Sequence, residues 1–436
     1  MAPAGSAAAR PKPFRGPAMA TNTADKQMRF DPKASVAELY QLQPNYRRFN
    51  QKFNITRERL WEPAMKKLGE EREANLARLA AEGKSGYSAL DWAFYHASNG
   101  NLRNTGFSIN APNVSGNSWR PLTEERPARR WEGSPVEASQ ALRKVGGLFG
   151  ADVVGFAPLD RRWVYSHYYD EETALDYPIK FTDEPGYEHY TEPGLAEGRA
   201  LVIPKEVRYA VVLLFEMDEE GMARAPTSIE FGTTMTAYSR ISFVTVMVAE
   251  FLRGLGYHAI PSANCTALSI PLAIEAGLGQ LGRNAKLINP KFGPRCRIAK
   301  VLTDLPVEVG KPRDFGITQF CDVCKKCARE CPAQAIPDGP RSFEPVNECN
   351  NAGVLQWQLN HKKCLEFWSK AGTNCGICLR TCAFNKGHHK IHDMARFFIK
   401  NASWMDPFIV RLDDMLGYGG YKKPEAFWQD GNTRLK

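Results

Sequence analysis

The sequence contains no run of about eighteen apolar residues, the length that a membrane-spanning helix requires. Its most hydrophobic stretch, "YAVVLLFEM" from Tyr209, has the length of a buried strand. Upstream of its cysteine-rich segment, the sequence also lacks a P-loop, a histidine pair at metal-ligand spacing, and a G-x-G-x-x-G motif that follows a predicted strand. The glycine-rich "GLGQLGR" from Gly277 falls late in a predicted helix, outside a dinucleotide-binding context. These absences predict a globular protein with no segment in the bilayer and no nucleotide-binding fold.

Positive charge is not concentrated in the chain, although the net charge is +9 at pH 7. Basic residues alternate with acidic neighbours, and only short clusters such as "RPARRW" and "GHHKIH" stand out. We interpret them as solvated surface and expect no nucleic-acid partner. Residues 1–35 have neither an apolar h-region nor a paired-arginine motif. They predict a flexible leader, either a disordered terminus or the remnant of a processed export signal.

The hydrophobic pattern predicts an α/β (α+β) core in which helices and strands alternate. Strands are predicted in "ADVVGFAPL", "RYAVVLLFEM", "YHAIP" and "CRIAKVLTDLPVE", and helices in "EASQALRKVGGLFG", "TTMTAYSRISFVTVMVAEFLRGLG" and "PLAIEAGLGQLG". The predicted divisions are the leader 1–35, a helical and loop region 36–135, the core 136–312, a cysteine module 313–395 and a C-terminal extension 396–436. The cysteine module is appended to the core.

Eight of the eleven cysteines have the spacing of iron–sulfur ligands. Cys321, Cys324, Cys327 and Cys331 form C-x2-C-x2-C-x3-C before Pro332, the run in which three bacterial ferredoxin cysteines bind one [4Fe-4S] cluster and the fourth binds the other. A second set follows downstream. We predict cluster 1 on Cys321, Cys324, Cys327 and Cys382, and cluster 2 on Cys331, Cys364, Cys375 and Cys378.

Two other uses of these cysteines are zinc ligation and disulfide bonding. Zinc takes four ligands in tetrahedral pairs, which suits the C-x2-C-x2-C run poorly, and disulfides do not suit such dense spacing. One departure from the ferredoxin pattern is that Ala383, and not proline, follows Cys382. Cys265, Cys296 and Cys349 remain and are predicted to be inert thiols. Two clusters close together relay electrons, so the upstream core is expected to hold the acceptor.

The chain resembles the corrinoid-dependent reductive dehalogenases over about residues 40 to 395. The resemblance is carried by "TAYSR" around Tyr238, by the block from Ile260 to Pro306, and by the cysteine module with "KCLEFWSKAGTNCGIC". It implies a nitroreductase-like core around a base-off cobalamin, joined to a ferredoxin-like module with two [4Fe-4S] clusters. It also implies that halogen is replaced by hydrogen on an organohalide. The absence of a D-x-H-x-x-G cobalamin motif agrees with the family.

The resemblance also assigns roles to individual residues. Tyr238 matches the proton donor, and Arg297 in "FGPRCR" matches the basic residue beside it, with Arg295 the alternative if the register slips by two. A phenol donates usefully near neutral pH only when a cation stabilises its phenolate, which explains the pairing. Without the resemblance, a core tyrosine and a surface ion pair would be the expectation. The implied pocket residues are Asn264, Trp368, Trp92 and Tyr95, and the implied cobalamin contacts are Ser262, Ala267, Ser269 and Gly293.

The implied partners are a small organohalide and an electron donor protein or quinone-linked donor, with a small membrane-anchor subunit and a homodimer as further candidates. If the chain is the mature form of an exported protein, it lies on the outer face of the cytoplasmic membrane, and otherwise in the cytoplasm. One rival is epoxyqueuosine reductase, a corrinoid and iron–sulfur enzyme acting on tRNA, whose proton donor is an aspartate where Tyr238 stands here. The other is a non-catalytic ferredoxin-type subunit, which would leave the α/β core without a use.

Overall fold

The computed structural model describes residues 34–88, 91, 94–95, 130–170, 173–196, 200–387 and 389–429. The described α-helices are α1 (Val36–Leu39), α2 (Ile55–Trp61), α3 (Pro63–Ala81), α4 (Pro135–Phe149), α5 (Glu219–Met222), α6 (Ser228–Gly254), α7 (Ser269–Glu275), α8 (Ile317–Cys324), α9 (Lys326–Arg329), α10 (His361–Ala371), α11 (Ile377–Arg380), α12 (Lys390–Asn401) and α13 (Asp406–Met415). Short 3-10 helices span Gln51–Phe53, Arg161–Trp163, Ser403–Met405 and Pro424–Phe427.

The described strands are β1 (Val153–Pro158), β2 (His167–Asp170), β3 (Leu175–Phe181), β4 (Gly194–Leu195), β5 (Leu201–Ile203), β6 (Tyr209–Glu216), β7 (Ala259–Ser262), β8 (Gln280–Leu281), β9 (Leu287–Ile288) and β10 (Cys296–Thr303). They form a central sheet in the order β1-β6-β10-β7, a second sheet in the order β2-β3-β5-β4, and the hairpin β8-β9. The predicted mixed α/β fold is confirmed.

The central sheet is antiparallel throughout and is covered on both faces. Along β6, Val212 and Leu214 pack towards α7, whereas Val211 and Leu213 pack towards α6, because successive side chains of a strand point to opposite faces. This double burial explains the continuous apolar run of β6. All four strands predicted for the core are present in this sheet.

Helix α6 is the one described helix that is long and apolar enough to cross a membrane by length and composition. It buries Ile241, Val244 and Val248 in the same cluster as sheet residues of β6 and β10. This packing is typical of a core helix, which is apolar around most of its circumference because it is covered on several sides.

One predicted helix is shorter than its pattern suggests. The helix predicted over "PLAIEAGLGQLG" ends at Glu275 as α7, and the chain continues into β8. Gly277 breaks the helix with φ of +73°, and a Cβ there would lie 2.7 Å from the carbonyl oxygen of Lys311. The helical prediction beyond Glu275 was wrong because this close approach and left-handed backbone require a glycine.

The N-terminal helices pack onto the cysteine-bearing part of the chain. Asn54 caps α2 by accepting a hydrogen bond from the backbone N–H of Thr56. Pro63 begins α3, which gives a helical pair in place of one long helix. Asn75 of α3 donates to the backbone carbonyl of Ser369 in α10 at 2.9 Å. The two segments, about 290 residues apart, therefore form one wall of the central cavity.

Candidate active site

One face of α6 carries three polar side chains that line a large cavity, Glu230, Thr234 and Tyr238. Their spacing of four residues places them one above another on the same helical face. The hydroxyl of Thr234 donates to Glu230 Oε1 at 3.0 Å. The sequence around "TAYSR" therefore presents a polar strip to the cavity in an otherwise apolar helix.

Arg297 reaches the same strip from β10. Its neighbours Ala299 and Val301 pack in the cluster that α6 covers, so the alternation along the strand points Arg297 towards α6. The guanidinium carbon lies 5.1 Å from the centre of the Tyr238 ring, and Nη2 donates to Thr234 Oγ1 at 3.2 Å. A cation therefore stands beside the tyrosine.

Arg295, the alternative to Arg297 if the register slips by two residues, contacts other groups. It is 1% exposed, and Nη1 donates to Glu216 Oε1 at 2.9 Å and to the backbone carbonyl of Met217 at 2.7 Å. These contacts tie β10 to the end of β6. Of the two arginines, Arg297 is the one next to Tyr238.

Asn264 follows β7 and reaches Tyr238 from another side. Its Nδ2 donates to the Tyr238 hydroxyl oxygen at 3.2 Å. The hydroxyl of Tyr165 donates to the backbone carbonyl of Asn264 at 3.2 Å, which holds the loop. Because the phenol oxygen accepts the amide bond, its own hydrogen is available to another acceptor. The structure thus brings Tyr238, Arg297 and Asn264 together.

Glu230 is fully buried beside these groups. Burial raises its pKa to about 8, while the nearby Arg297 and the hydrogen bond from Thr234 act in the opposite direction. Within the described part of the chain, Glu230 Oε2 and Arg297 Nε have no hydrogen-bond partner. A buried polar atom without a partner is costly, and both groups line the cavity, so both are positioned to meet a bound molecule.

The cavity has a volume of about 950 Å³. That value lies at the upper end of the range of roughly 300–1,000 Å³ found for sites that enclose drug-sized ligands. Among the other predicted site residues, Trp368, Tyr95 and Ser269 line it. Tyr95 stacks on Phe231 with ring centres 4.4 Å apart. The walls therefore combine aromatic and apolar side chains with a substantial number of polar and charged ones.

Four further predicted residues do not line the cavity or cannot be located. Trp92 lies outside the described residues. Ser262, Ala267 and Gly293 are not among the described residues of the cavity wall. Ser262 donates to Thr266 Oγ1 at 2.9 Å inside the core, and a Cβ at Gly293 would collide with the backbone carbonyl of Phe384. Their cobalamin contacts stay predictions, and each residue has a structural reason to be present.

The first cysteine set encloses a small cavity of about 20 Å³. Its four thiols are those predicted for cluster 1, Cys321, Cys324, Cys327 and Cys382. Burial raises the pKa of the Cys327 thiol, and neighbouring thiols raise it further. Four buried thiols therefore do not ionise readily as free groups, whereas bound iron would stabilise their thiolates.

The second cysteine set lines the large cavity. Its members are those predicted for cluster 2, Cys331, Cys364, Cys375 and Cys378. The backbone N–H of Ala335 donates to Cys331 Sγ at 3.4 Å. Burial raises the pKa of Cys364 to about 11, and the side chain of Trp368 hydrogen-bonds to that thiol. Donors to sulfur are a usual feature around iron–sulfur clusters, so this set also fits the group.

No group of three or more His, Cys, Asp or Glu side chains among the described residues is arranged to hold a single metal ion. This leaves the zinc alternative without a ligand set in that part of the chain. The four sulfurs around a cubane each bind a different iron and stand farther apart than the ligands of one ion.

Three polar residues of the cavity wall were not anticipated from the sequence. Thr234 and Glu230 precede Tyr238 at intervals of four, so helical periodicity alone could have indicated them. Lys286 also lines the cavity, and it belongs to a turn whose docking partner is distant in sequence. No sequence pattern indicates that contact.

Comparison with known proteins agrees with this arrangement. A family model described as a reductive dehalogenase subunit matches residues 97–307. A tetrachloroethene reductive dehalogenase of Sulfurospirillum multivorans is 39% identical over 321 residues, covering 71% of this chain and 62% of its own length. A solved catabolic reductive dehalogenase is 26% identical with a TM-score of 0.53, over 66% of this chain and 37% of its own.

A further solved structure, of a reductive dehalogenase described as B12-dependent, has a TM-score of 0.56 and 24% identity, over 76% of this chain and 42% of its own. That likeness concerns the fold. The chain belongs to the reductive dehalogenase family, as the motifs around Tyr238 and the cysteines indicate. It spans less than two thirds of the length of the curated relative and less than half of each solved chain.

Proposed function

We propose that this protein is a reductive dehalogenase that replaces halogen by hydrogen on a small organohalide. The observation that carries the proposal is the position of the Tyr238 hydroxyl. It accepts a hydrogen bond from Asn264, stands beside the Arg297 guanidinium, and faces the cavity that the second cysteine set also lines. A proton source and an electron-delivery site thus share one cavity. That combination is what a reductive substitution needs.

The cofactors of the proposal are a base-off cobalamin and two [4Fe-4S] clusters. The eight cysteines would hold the clusters, and the aromatic and apolar walls with Ser269 would enclose the corrinoid. When bound, the corrinoid in its Co(I) form supplies the electrons that the carbon–halogen bond accepts. The cavity volume, the unpartnered Glu230 and Arg297 atoms and the two thiol sets are consistent with these groups.

The residues of this chain handle the proton. The overall change takes an organohalide, two electrons and one proton to the hydrogen-substituted product and a halide anion. Tyr238 gives its hydroxyl proton to the carbon that loses halogen, which leaves a phenolate. Arg297 stabilises that negative charge because an opposite charge nearby favours the charged form of an acid. The Asn264 amide fixes the phenol and its loop.

The name of the curated relative suggests a chlorinated alkene as the substrate class. The core would be nitroreductase-like and the cysteine part ferredoxin-like, with electrons arriving from a donor protein or a quinone-linked donor. A small membrane-anchor subunit, a homodimer and a location at the outer face of the cytoplasmic membrane are further parts of this proposal, and they rest on the family alone.

The test measures the metal content of the protein and its release of halide. Protein prepared without oxygen and reconstituted with cobalamin should contain about eight iron and one cobalt per chain, because two cubanes hold eight irons. With a strong artificial reductant it should release chloride from tetrachloroethene. The non-catalytic alternative predicts iron without cobalt and no chloride. Cofactor-loaded protein that releases no halide from chlorinated or brominated alkenes and aromatics would disprove the proposed function.

A further inference from the structure

The tip of the β8-β9 hairpin packs against the second cysteine set. The backbone N–H of Gly282 donates to the carbonyl of Lys286 at 2.9 Å, which closes the turn. Ala285 within it has φ of +54°, a left-handed conformation that is unfavourable for a residue with a Cβ. Residues held in such conformations are concentrated at functional sites. This turn contains the end of the glycine-rich stretch that matched no nucleotide motif.

Two contacts join this turn to the cysteines. The buried amide of Asn284 accepts from the backbone N–H of Lys286 and donates to the carbonyl of Cys378, each at 3.3 Å. Ala285 packs in one apolar cluster with four of the cysteines, Cys327, Cys331, Cys364 and Cys378. The turn is therefore fixed directly on the polypeptide that carries the predicted cluster 2 ligands.

Lys286 places a positive charge at the turn that packs against the second cysteine set. It is half-buried and lines the cavity together with Cys364 and Cys378. In the described part of the chain, no carboxylate lies within ion-pairing distance of its ammonium group. Burial raises the pKa of Cys378 to about 12, and the Lys286 charge is the largest influence that acts to lower it.

Two other ionisable groups line the same cavity. Burial lowers the pKa of His361 to about 3, so this histidine of α10 stays neutral. Glu230 approaches from α6, and a Cβ at Gly376 would lie 2.6 Å from its carboxyl carbon. Because its pKa is about 8, Glu230 is largely protonated near pH 7, and only its ionised form acts on Cys378 in the opposite sense to Lys286. Lys286 is thus the cation that faces Cys378 and Cys364 from the hairpin.

The first cysteine set has a different arrangement of cations. Lys326 and Lys386 each contact the carboxylate of Asp413 at 2.6 Å. Their charge is partly neutralised before it acts on the thiols of that set. The buried Arg283 also lines that small cavity and pairs with Asp322 at 3.8 Å. Lys286 has no carboxylate partner among the described residues, so no ion pair offsets its charge at the second set.

We propose that Lys286 acts on the second cluster through its positive charge. That charge raises the reduction potential of the cluster held by Cys331, Cys364, Cys375 and Cys378. The proposal rests on the cluster-binding part of the proposed function. An added electron makes the cluster more negative, so a nearby cation stabilises the reduced form over the oxidised one. The effect favours electron transfer from the first cluster to the second, which lies on the cavity.

The test is a redox titration, followed by electron paramagnetic resonance, of the full chain reconstituted with iron and sulfide. Lys286→Met removes the charge and keeps an unbranched apolar side chain. We expect the reduction equilibrium constant of one cluster to fall about tenfold, which makes its potential more negative by about 59 mV for one electron. The other cluster should change little. Lys286→Arg, which keeps the charge, should restore most of the difference.

Lys363→Met is the matched control. Lys363 is exposed and precedes Cys364 directly, so its charge is close in sequence but solvated. Its removal should leave both potentials nearly unchanged. If Lys286→Met does not retain about eight irons, Lys286→Gln is measured in its place. Two intact clusters with unchanged potentials in the charge-removed variant, or an equal shift in Lys363→Met, would overturn the proposal for Lys286 and leave the proposed function standing. Parent protein without two cubane signals would instead refute the cluster assignment itself.

Discussion

The two cysteine sets differ in what they face. The first set surrounds a cavity of about 20 Å³ beside α8 and α9, whereas the second lines a cavity of about 950 Å³ together with Tyr238 and Arg297. A cluster in the first set would be enclosed by protein, and a cluster in the second would adjoin the space for substrate and cofactor. The two sets thus adjoin different spaces, which the tertiary structure alone distinguishes. The first set is suited to relay electrons and the second to deliver them.

The largest expected effect comes from removing a ligand of the second set. Cys378→Ala should eliminate cluster 2, because a cubane that lacks one of its thiolates is exposed to loss of iron. We expect the iron content to fall from about eight to about four per chain and turnover to cease. Iron analysis and halide release are the measurements.

Two variants show whether this loss is specific. Cys265→Ala removes a buried thiol that belongs to neither set, and it should leave the iron content unchanged. Cys382→Ala should also halve the iron, but with loss of the other cluster's signal. If Cys378→Ala retains all its iron, the assignment of this cysteine is incorrect.

A smaller effect should follow from unpairing the lysines beside the first set. Asp413 contacts Lys326 and Lys386 at 2.6 Å, and the side chains of all three are at most 8% exposed. Removing one partner of a buried ion pair typically costs about 3–5 kcal/mol because a charge is left uncompensated. Asp413→Asn should therefore lower the thermal midpoint of the iron-loaded protein by several degrees.

Asp183 provides the control for that experiment. Its side chain is 43% exposed, and it pairs with Arg161, which is 40% exposed, at 2.7 Å. An exposed pair contributes about 0–1 kcal/mol, so Asp183→Asn should change the midpoint little. Equal midpoints for the two variants would show that the buried lysines need no counter-charge.

On the cavity side, Tyr238→Phe separates proton donation from packing. The change keeps the ring and removes the hydroxyl, so a merely structural tyrosine would lose about 1 kcal/mol of stability with activity intact. As a general acid, Tyr238 should instead lose at least about a hundredfold in turnover, or about 2.7 kcal/mol, with iron and cobalt retained. Single-turnover halide release measures the difference.

Tyr40→Phe is the matched control, since Tyr40 lines the same cavity away from Arg297. Arg297→Met should act through the Tyr238 phenol, so the double variant should be little worse than the worse single one, as for residues that act as a unit. Near-parent turnover by Tyr238→Phe with full cofactor content would place the proton source elsewhere.

Local signals predicted much of this molecule. The buried run at Tyr209 and the pattern from Cys296 predicted two strands, and these are adjacent in the central sheet. The structure also groups the eight cysteines into the two sets that their spacing predicts, while ligation itself stays a prediction. Patterns of this kind depend on neighbours in sequence, which is why they could be recognised.

Features that depend on distant contacts were not predicted. The sheet β2-β3-β5-β4 was missed although β3 alternates, with Tyr177, Ile179 and Phe181 buried, because the pairing of its strands is not local. Gly277 ends α7 because of a backbone 34 residues downstream. The position of Lys286 beside Cys378 depends on how the hairpin docks. Such contacts are set by the packing of whole elements, and no local pattern encodes them.

The smallest expected effect concerns a second buried aspartate of α13. Asp406 is 1% exposed, and its Oδ1 has no hydrogen-bond partner in the described part of the chain. Burial raises its pKa to about 7 from an ordinary value of 3.8. The favourable N-terminal end of the helix does not compensate for that burial.

The sign of the pH dependence follows from the raised pKa. Well below its ordinary pKa of 3.8 the carboxyl is protonated in both the folded and unfolded states and costs nothing. As pH rises towards 7, the unfolded state releases the proton more readily, so the free energy of unfolding falls and then levels off. Asp406→Asn keeps the group neutral and should raise the thermal midpoint at pH 8 by more than at pH 5, corresponding to about 2 kcal/mol. Asp413→Asn, seven residues further along α13, should lower the midpoint at pH 8, because Asp413 is paired with two lysines. A pH-independent effect of Asp406→Asn would mean that Asp406 is ionised normally despite its burial.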